Sequence, residues 1–280
     1  MRGVGGAPSL DAAGFLDWLR CGAAAVTARQ AGRIEDEAAL RDAVLLTRPG
    51  DDVGPAGLLL LAWRRLAARP AEELLTEENL AAVLEAFGYA RDNAAIGDMV
   101  AELRQLSATS GIAGIPAGAF AVAQRYGFGR ILGAFIADAL LAQFLGWSHA
   151  VPLLGAEASL GLGTGRTRRA QTPVAATGHE VGLERTKSLL AAQARAALRA
   201  IDLSAELGRC AEKLLAVAPK LRAKGADTVV QRLLSGDAMV ASDPVAGISD
   251  RGLRRLFDRL VELGAVRELS GRPTFRIYGL

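Results

Sequence analysis

The feature that most constrains the fold is a succession of segments rich in alanine and leucine, separated by short stretches that contain glycine or proline. Alanine and leucine form helices readily, and β-branched residues are sparse before the C-terminal part of the chain. Thr76, followed by Glu77 and Glu78 and later by Gly88, has the pattern of a helix cap, first turn and stop. The pattern predicts roughly six or seven helices in residues 1–150, and the lack of a fixed repeat favours a bundle over a solenoid.

The apolar content, 51% of 280 residues, raises the question of a membrane span. The most apolar window, residues 131–147, carries Asp138 and Gln143 near its middle, and a carboxylate there is costly in lipid. Charged residues also interrupt any signal-peptide core at the N-terminus. The two cysteines, Cys21 and Cys210, form neither a disulfide framework nor a metal-ligand pattern. We therefore expect a soluble protein of the reducing cytoplasm that makes no membrane contact.

Changes in composition along the chain predict four segments. Residues 1–154 form an N-terminal helical domain, and residues 155–182 form a flexible connection rich in glycine and threonine. A long connecting helix follows over residues 183–219 and ends at Pro219. The remaining residues, 220–280, form a separate C-terminal module.

The C-terminal module holds the positive charge of the chain. Residues 220–280 contain 11 Lys and Arg against 7 Asp and Glu, whereas residues 1–219 contain 22 against 23. The whole excess behind the net charge of +3 therefore lies in the last fifth of the sequence. A local excess of this kind is typical of a surface that meets nucleic acid.

The periodicity of the module predicts a short helix over residues 227–234 and an amphipathic helix that begins at Asp250, with Ser249 as its N-cap. Two strands are predicted next, at residues 265–269 and 274–278, joined by a glycine- and proline-containing turn. Strand alternation places Phe275 with Ile277 on one face and Arg276 with Tyr278 on the other.

This order of elements, with the phrase LRRLFDRLVELGAVRELSGRPTFRIYGL, resembles a winged helix-turn-helix domain over roughly fifty residues. The predicted fold class is therefore mainly α: a helical bundle followed by a C-terminal winged-helix-like module with a small β-hairpin. The sequence departs from the resemblance at residues 235–247, where Pro244 and two glycines leave room for one helical turn at best in place of the middle helix.

A winged helix-turn-helix implies that the helix from Asp250 enters a major groove of duplex DNA. The candidate nucleic-acid-binding residues are the arginines on its polar face, an arginine at the hairpin tip and three cations before the first helix: Arg251, Arg254, Arg255, Arg259, Arg272, Lys220, Arg222 and Lys224. The alternative is a solvated face, because Asp258 and Glu262 lie on the same helix. The alternative function is then a non-catalytic module for protein–protein interaction or self-association.

Four phrases extend the comparison to nearly the whole chain: EDEAALRDAVLLTRPGDDVGPAG at 35–57, WSHAVPLL at 147–154, AVAPKLRAKGADTVV at 216–230, and residues 250–280. Together they resemble the bacterial domain-of-unknown-function family 1403. The resemblance implies neither an activity nor a site residue.

Signals for an enzyme are weak. The glycines of residues 161–165 precede Arg166 where a phosphate-binding loop needs lysine, and no strand is predicted before them. The two histidines, His149 and His179, have no second ligand at metal-binding spacing, and packing against Trp147 is the favoured role of His149. We expect no catalysis, no cofactor and no metal.

Asp138 is the one unusual titratable residue, since it lies inside an otherwise apolar helical segment. We expect it to pair with Arg130 or Arg125, and a buried carboxylate site is the less favoured alternative.

Overall fold

The computed structural model describes residues 10–48, 50–160, 178–270 and 274–280. These residues form ten α-helices, two short 3₁₀ helices and three short strands, with the strands confined to the C-terminal part. The predicted fold class, a mainly helical protein with a bundle and a small antiparallel hairpin, is confirmed. None of the described helices is both long enough and apolar enough to cross a membrane.

The helices follow the alanine- and leucine-rich segments. They are α1 (Ala12–Gln30), α2 (Glu37–Leu45), α3 (Gly54–Ala68), α4 (Glu77–Ala86), α5 (Asn93–Thr109), α6 (Ile115–Arg125), α7 (Arg130–Phe144), α8 (Gly178–Val217), α9 (Ala226–Ser235) and α10 (Asp250–Glu262). The 3₁₀ helices are Ala71–Glu73 and Ala218–Lys220, and the strands are β1 (Met239–Val240), β2 (Arg267–Glu268) and β3 (Ile277–Gly279).

Side-chain caps fix several helix starts. The Thr76 hydroxyl accepts a hydrogen bond from the Asn79 amide at 3.4 Å, and the Ser249 hydroxyl accepts one from the Gly252 amide at 3.2 Å. Each cap satisfies one backbone donor that has no partner within the helix. Helix α10 is followed by Gly264 at φ +63°, a conformation that glycine adopts without steric cost. Local chemistry therefore sets these boundaries where the sequence predicts them.

The chain divides into two compact units. The first comprises Met1–Cys21, Glu35–Gly57 and Ala200–Leu280, and the second comprises Gly22–Ile34 and Leu58–Arg199. Helices α1 and α8 each contribute residues to both units, so the units are not successive segments of the chain.

The four predicted segments follow composition along the chain, and their boundaries remain a prediction. Within the predicted connection 155–182, residues 161–177 lie outside the described residues, as does the glycine run that resembles a phosphate loop.

The second unit has an aromatic centre. The rings of Trp63, Phe87 and Phe135 lie 5.8 to 6.3 Å apart in tilted and edge-to-face arrangements. The indole Nε1 of Trp63 donates to the Thr27 hydroxyl at 2.8 Å, so the polar atom of this buried ring is satisfied. The centre joins α1, α3 and α7 with the end of α4.

The core of the first unit contains the predicted stripe of α10 together with α9 and the sheet. Side chains from two earlier helices complete it. Its members include Trp18 of α1, Leu207, Ala211 and Leu214 of α8, Val229 and Leu233 of α9, and Leu253, Leu256, Phe257 and Leu260 of α10. The segment 220–280 therefore shares its core with residues that lie outside it in sequence.

A buried ion pair joins α2 to the turn after α9. The Arg41 Nε donates to the Asp237 carboxylate at 2.9 Å, and both side chains are at most 4% exposed. The Arg41 guanidinium also lies 4.5 Å from the Trp18 ring centroid. The Arg41 guanidinium also lies 3.3 Å from the Glu37 carboxylate. Because both Arg41 and Asp237 are desolvated, removal of either one takes a close counter-charge away from a buried ion.

The strands form one antiparallel sheet in the order β1-β3-β2. In this sheet Met239 pairs with Tyr278, and Glu268 pairs with Tyr278 from the other side. Strand β1 lies in the interval 235–247. The interval holds no middle helix, as the sequence predicts, but the strand itself is not among the predicted elements. The Asp243 carboxylate accepts from the Val240 amide at 3.2 Å, which closes a turn after the strand.

The predicted second strand is shorter than expected. Phe275 has φ +54° and lies before β3, while Ile277 and Tyr278 are both buried. Because successive strand residues point to opposite faces, both faces of β3 are covered within this unit. The expected pairing of Phe275 with Ile277 on one face is therefore incorrect, since the positive φ takes Phe275 out of the strand.

Candidate nucleic-acid interface

Helix α10 separates its charges from its core stripe. Leu253, Leu256, Phe257 and Leu260 are at most 5% exposed. The four arginines predicted from the sequence are all exposed, and helical geometry at 100° per residue places them on the side opposite the stripe: Arg251, Arg254, Arg255 and Arg259. The Ser249 cap and Asp250 in the first turn fix the start of this face.

Acidic residues lie among these arginines. The Arg259 guanidinium lies 3.0 Å from the Glu262 carboxylate, and Arg276, just before β3, lies 3.8 Å from Asp258. By contrast, no described side chain forms an ion pair with Arg251, Arg254 or Arg255. The uncompensated charge of the helix therefore lies in its first two turns, whereas the later turns are locally neutral.

The three cations before α9 are also exposed. They are Lys220, at the end of a 3₁₀ helix, and Arg222 and Lys224, in the turn that follows. A Cβ built on Gly247 would lie 3.3 Å from Cγ of Lys224, so the lysine stem passes over the turn just before Ser249. The structure thus brings Lys224 close to the start of α10, whose first turns carry the uncompensated arginines.

Arg272, the candidate at the hairpin tip, lies outside the described residues. Arg276 lies on the described part of the hairpin, and sequence reasoning did not place it among the candidates. It is 3.7 Å from Glu268 of β2, in addition to its contact with Asp258. Its position three residues after Pro273 of the predicted turn is the sequence signal that could have found it.

Asp138 of α7 is buried, at 1% exposure, and neither predicted arginine pairs with it. Its two carboxylate oxygens accept the backbone amides of Leu154 and Gly155, each at 2.9 Å. Burial raises the pKa of this carboxyl to about 7 from 3.8, although the backbone hydrogen bonds oppose the shift. The expected partner Arg125 forms its ion pair with Glu102 instead.

The loop that Asp138 holds is also packed tightly. A Cβ on Gly155 would lie 2.0 Å from the Trp63 ring, so only glycine fits at this position. Asp138 therefore anchors the loop after α7 to the aromatic centre, and this arrangement explains why a carboxylate is buried there.

The remaining candidates bring no catalytic geometry together. His149 is exposed, and its Nδ1 lies 3.1 Å from the Ser148 hydroxyl. The side chain of His179 lies outside the described residues. Within the part of the chain that the structure describes, no three His, Cys, Asp or Glu side chains could hold a metal ion.

The fold is that of a mainly helical protein whose C-terminal part contains a three-stranded antiparallel sheet and a helix, α10, with exposed arginines. The chain belongs to the DUF1403 family, described as a protein of unknown function, whose family model matches residues 11–280. No curated protein matches the chain.

Proposed function

We propose that the chain is a non-catalytic protein that binds duplex DNA through the first turns of α10 and the cations of residues 220–224. The observation that carries the proposal is the exposure of Arg251, Arg254 and Arg255 opposite the core, without ion pairs to the described residues. Exposed cations that have no intramolecular partner are the ones available to phosphate oxygens.

The order of elements supports a winged-helix-like arrangement for this part of the chain. Helix α9, strand β1, helix α10 and the hairpin β2–β3 follow one another, and β3 pairs with both other strands. The interval between β1 and α10 holds turns instead of the middle helix of a helix-turn-helix. In this proposal α10 approaches the major groove, and Lys220, Arg222 and Lys224 contact the phosphate backbone.

The test is fluorescence anisotropy of the full-length chain with labelled duplexes over a series of salt concentrations. The full chain is needed because α1 and α8 contribute to the core that supports α10. If the six cations of residues 220–224 and of the first two turns of α10 contact phosphates, the logarithm of the association constant falls with the logarithm of salt with a slope of about −5. Binding then weakens by about a thousandfold between 50 and 200 mM salt.

Charge reversal provides the residue-level test. The double variant R251E/R255E should reduce the magnitude of the slope by about 2 and weaken binding to every duplex. The matched control is R65E/R104E, which changes the net charge equally at exposed arginines of the second unit. No binding of wild-type protein at low salt, or equal losses in both double variants, would contradict the proposal.

A protein partner, including a second copy of this chain, is the second candidate. The acids Asp258 and Glu262 favour it, since they would repel phosphate but would suit a partner with mixed charges. Val261 and Leu263, 40% and 37% exposed at the end of the same helix, add apolar contact area. Light scattering over a concentration series tests self-association: a dimer that R251E/R255E dissociates, in a chain that binds no duplex, would favour this candidate.

A further inference from the structure

A groove of about 350 Å³ opens between α10 and the end of the hairpin in the first unit. Arg254 and Asp258 line it from the helix, Phe275 and Arg276 from the hairpin, and Tyr278 from the strand. The ring of Tyr278 stacks on Phe257 of the core, with centroids 4.3 Å apart. The wall on the strand side is therefore fixed by packing that does not depend on a ligand.

Phe275 is the unusual residue of the groove. Its side chain is 65% exposed, and its backbone has φ +54°, in the left-handed region that residues other than glycine, asparagine and aspartate adopt rarely. Burial of the ring does not offset the energetic cost of this backbone conformation, because most of the ring remains in contact with solvent. Backbone outliers that persist without a packing reason are found mainly at functional sites and ligand clamps.

The charges around the ring are mixed. Arg254 forms no ion pair with a described side chain, whereas Arg276 lies between Asp258 at 3.8 Å and Glu268 at 3.7 Å. The groove therefore offers an aromatic face, one uncompensated guanidinium, and an exposed guanidinium and carboxylate beside each other. A ligand that matches all three has a flat ring, a negative group, and both donors and acceptors on the ring edge.

We infer that the groove binds one unstacked nucleotide of a nucleic-acid strand, an inference that rests on the proposed function. The base stacks on Phe275, Arg254 faces the phosphate, and Asp258 and Arg276 offer an acceptor and a donor to the base edge. The groove volume is near the lower end of the range for small-molecule sites, about 300 to 1,000 Å³, which suits a single nucleotide. Helix α10 holds the adjoining duplex.

The test compares an intact duplex with the same duplex carrying one unpaired nucleotide, by competition anisotropy at constant salt. Stacking of one base on an aromatic side chain corresponds to about 5- to 160-fold in affinity. Wild-type protein should prefer the duplex with the unpaired nucleotide by a factor in this range. The variant F275A should lose the preference and keep its affinity for the intact duplex, while F275W should retain the preference.

Phe144, an exposed aromatic of α7 in the second unit, provides the control: F144A should change neither affinity. Because the Phe275 ring is mostly exposed, F275A should unfold at the same temperature as wild type or slightly above it.

Equal wild-type affinity for the two duplexes, or a preference that survives F275A, overturns the inference and leaves the proposed function standing. A Phe275-dependent preference without binding of the intact duplex supports the groove and contradicts the proposed function. Absence of binding to either duplex overturns both.

Discussion

Replacing Asp138 by asparagine should change the stability of the protein in opposite directions at low and high pH. In the folded chain the carboxyl is buried, and burial raises its pKa to about 7 from 3.8. Between these two values the folded state holds a proton that the unfolded chain releases. The free energy of unfolding therefore falls as pH rises through this window, by a total of about 4 kcal/mol. The stabilisation is complete below about pH 4 and is lost above about pH 7.

Asparagine has nearly the same shape and does not titrate in this range. Its single oxygen can accept the amide of Leu154 or of Gly155 but not both, so one buried amide faces the new NH₂ group. An unsatisfied buried donor costs about 1–3 kcal/mol. D138N should therefore be less stable than wild type by about 1–3 kcal/mol at pH 5. At pH 8 the wild-type protein carries the cost of a buried charge, and D138N should be more stable than wild type by about 1–3 kcal/mol.

Urea unfolding of both proteins at pH 5, 6, 7 and 8 measures this difference, since shared titrations cancel. The control is D92N, which replaces an exposed carboxylate that also accepts two backbone amides, those of Ala94 and Ala95. Its effect on stability should keep the same sign across the series. A D138N difference that is constant from pH 5 to 8, or a wild type that gains relative stability as pH rises, would refute the assigned sign and cause.

Three further predictions concern packing and strain. G155A should destabilise the protein by at least about 1–3 kcal/mol in urea unfolding, because its new Cβ would lie 2.0 Å from the buried Trp63 ring, and an effect below 0.5 kcal/mol would show that the loop moves at little cost. R41M should lower the free energy of unfolding by about 3–5 kcal/mol because it removes the guanidinium that lies 2.9 Å from the buried Asp237 carboxylate, and a loss below about 1 kcal/mol would mean that water reaches the carboxylate. F275G should raise the free energy of unfolding by about 1 kcal/mol. Glycine relieves the strain of the left-handed backbone, and this gain exceeds the entropy that glycine adds to the unfolded chain. A lower melting temperature than wild type would show that the backbone at this position is not strained.

The elements that sequence reasoning predicted well are those whose signals are local. The capping hydroxyls of Thr76 and Ser249 and the stop at Gly264 act within a few residues, so the helix boundaries follow from the sequence. Strand β1 has no such signal. It is two residues long, and it exists because β3, more than thirty residues later, supplies its partner.

The observed role of Asp138 differs from the expected one because its hydrogen-bond partners are distant in sequence. The sequence offers arginines as partners, because charged side chains are visible in it. The actual donors are the backbone amides of Leu154 and Gly155, which any residue other than proline supplies. No pattern in the sequence identifies which amides a fold will bring to a buried carboxylate. For the same reason the sequence does not predict the groove beside Phe275, which is lined by residues from separate elements.

The structure shows which of the positive charges in residues 220–280 are compensated by ion pairs, which a count of residues does not. Residues 220–280 have four more cations than acids, yet several of their cations are compensated: Arg259 by Glu262, Arg276 by Asp258 and Glu268, and Arg267 by Glu206 of α8. Seven described cations of this part make no ion pair with any described side chain: Lys220, Arg222, Lys224, Arg232, Arg251, Arg254 and Arg255. Of these, Arg232 donates to the backbone carbonyl of Pro244 at 3.3 Å. Paired charges largely cancel beyond a Debye length, about 10 Å at 0.1 M salt, so these seven set the field that a phosphate backbone meets. The positive character predicted for the whole module therefore lies mainly in the turn before α9 and at the start of α10, with Arg232 near the end of α9 as the one exception among the described residues. Substitutions in the second half of α10 should affect binding far less than those in its first two turns.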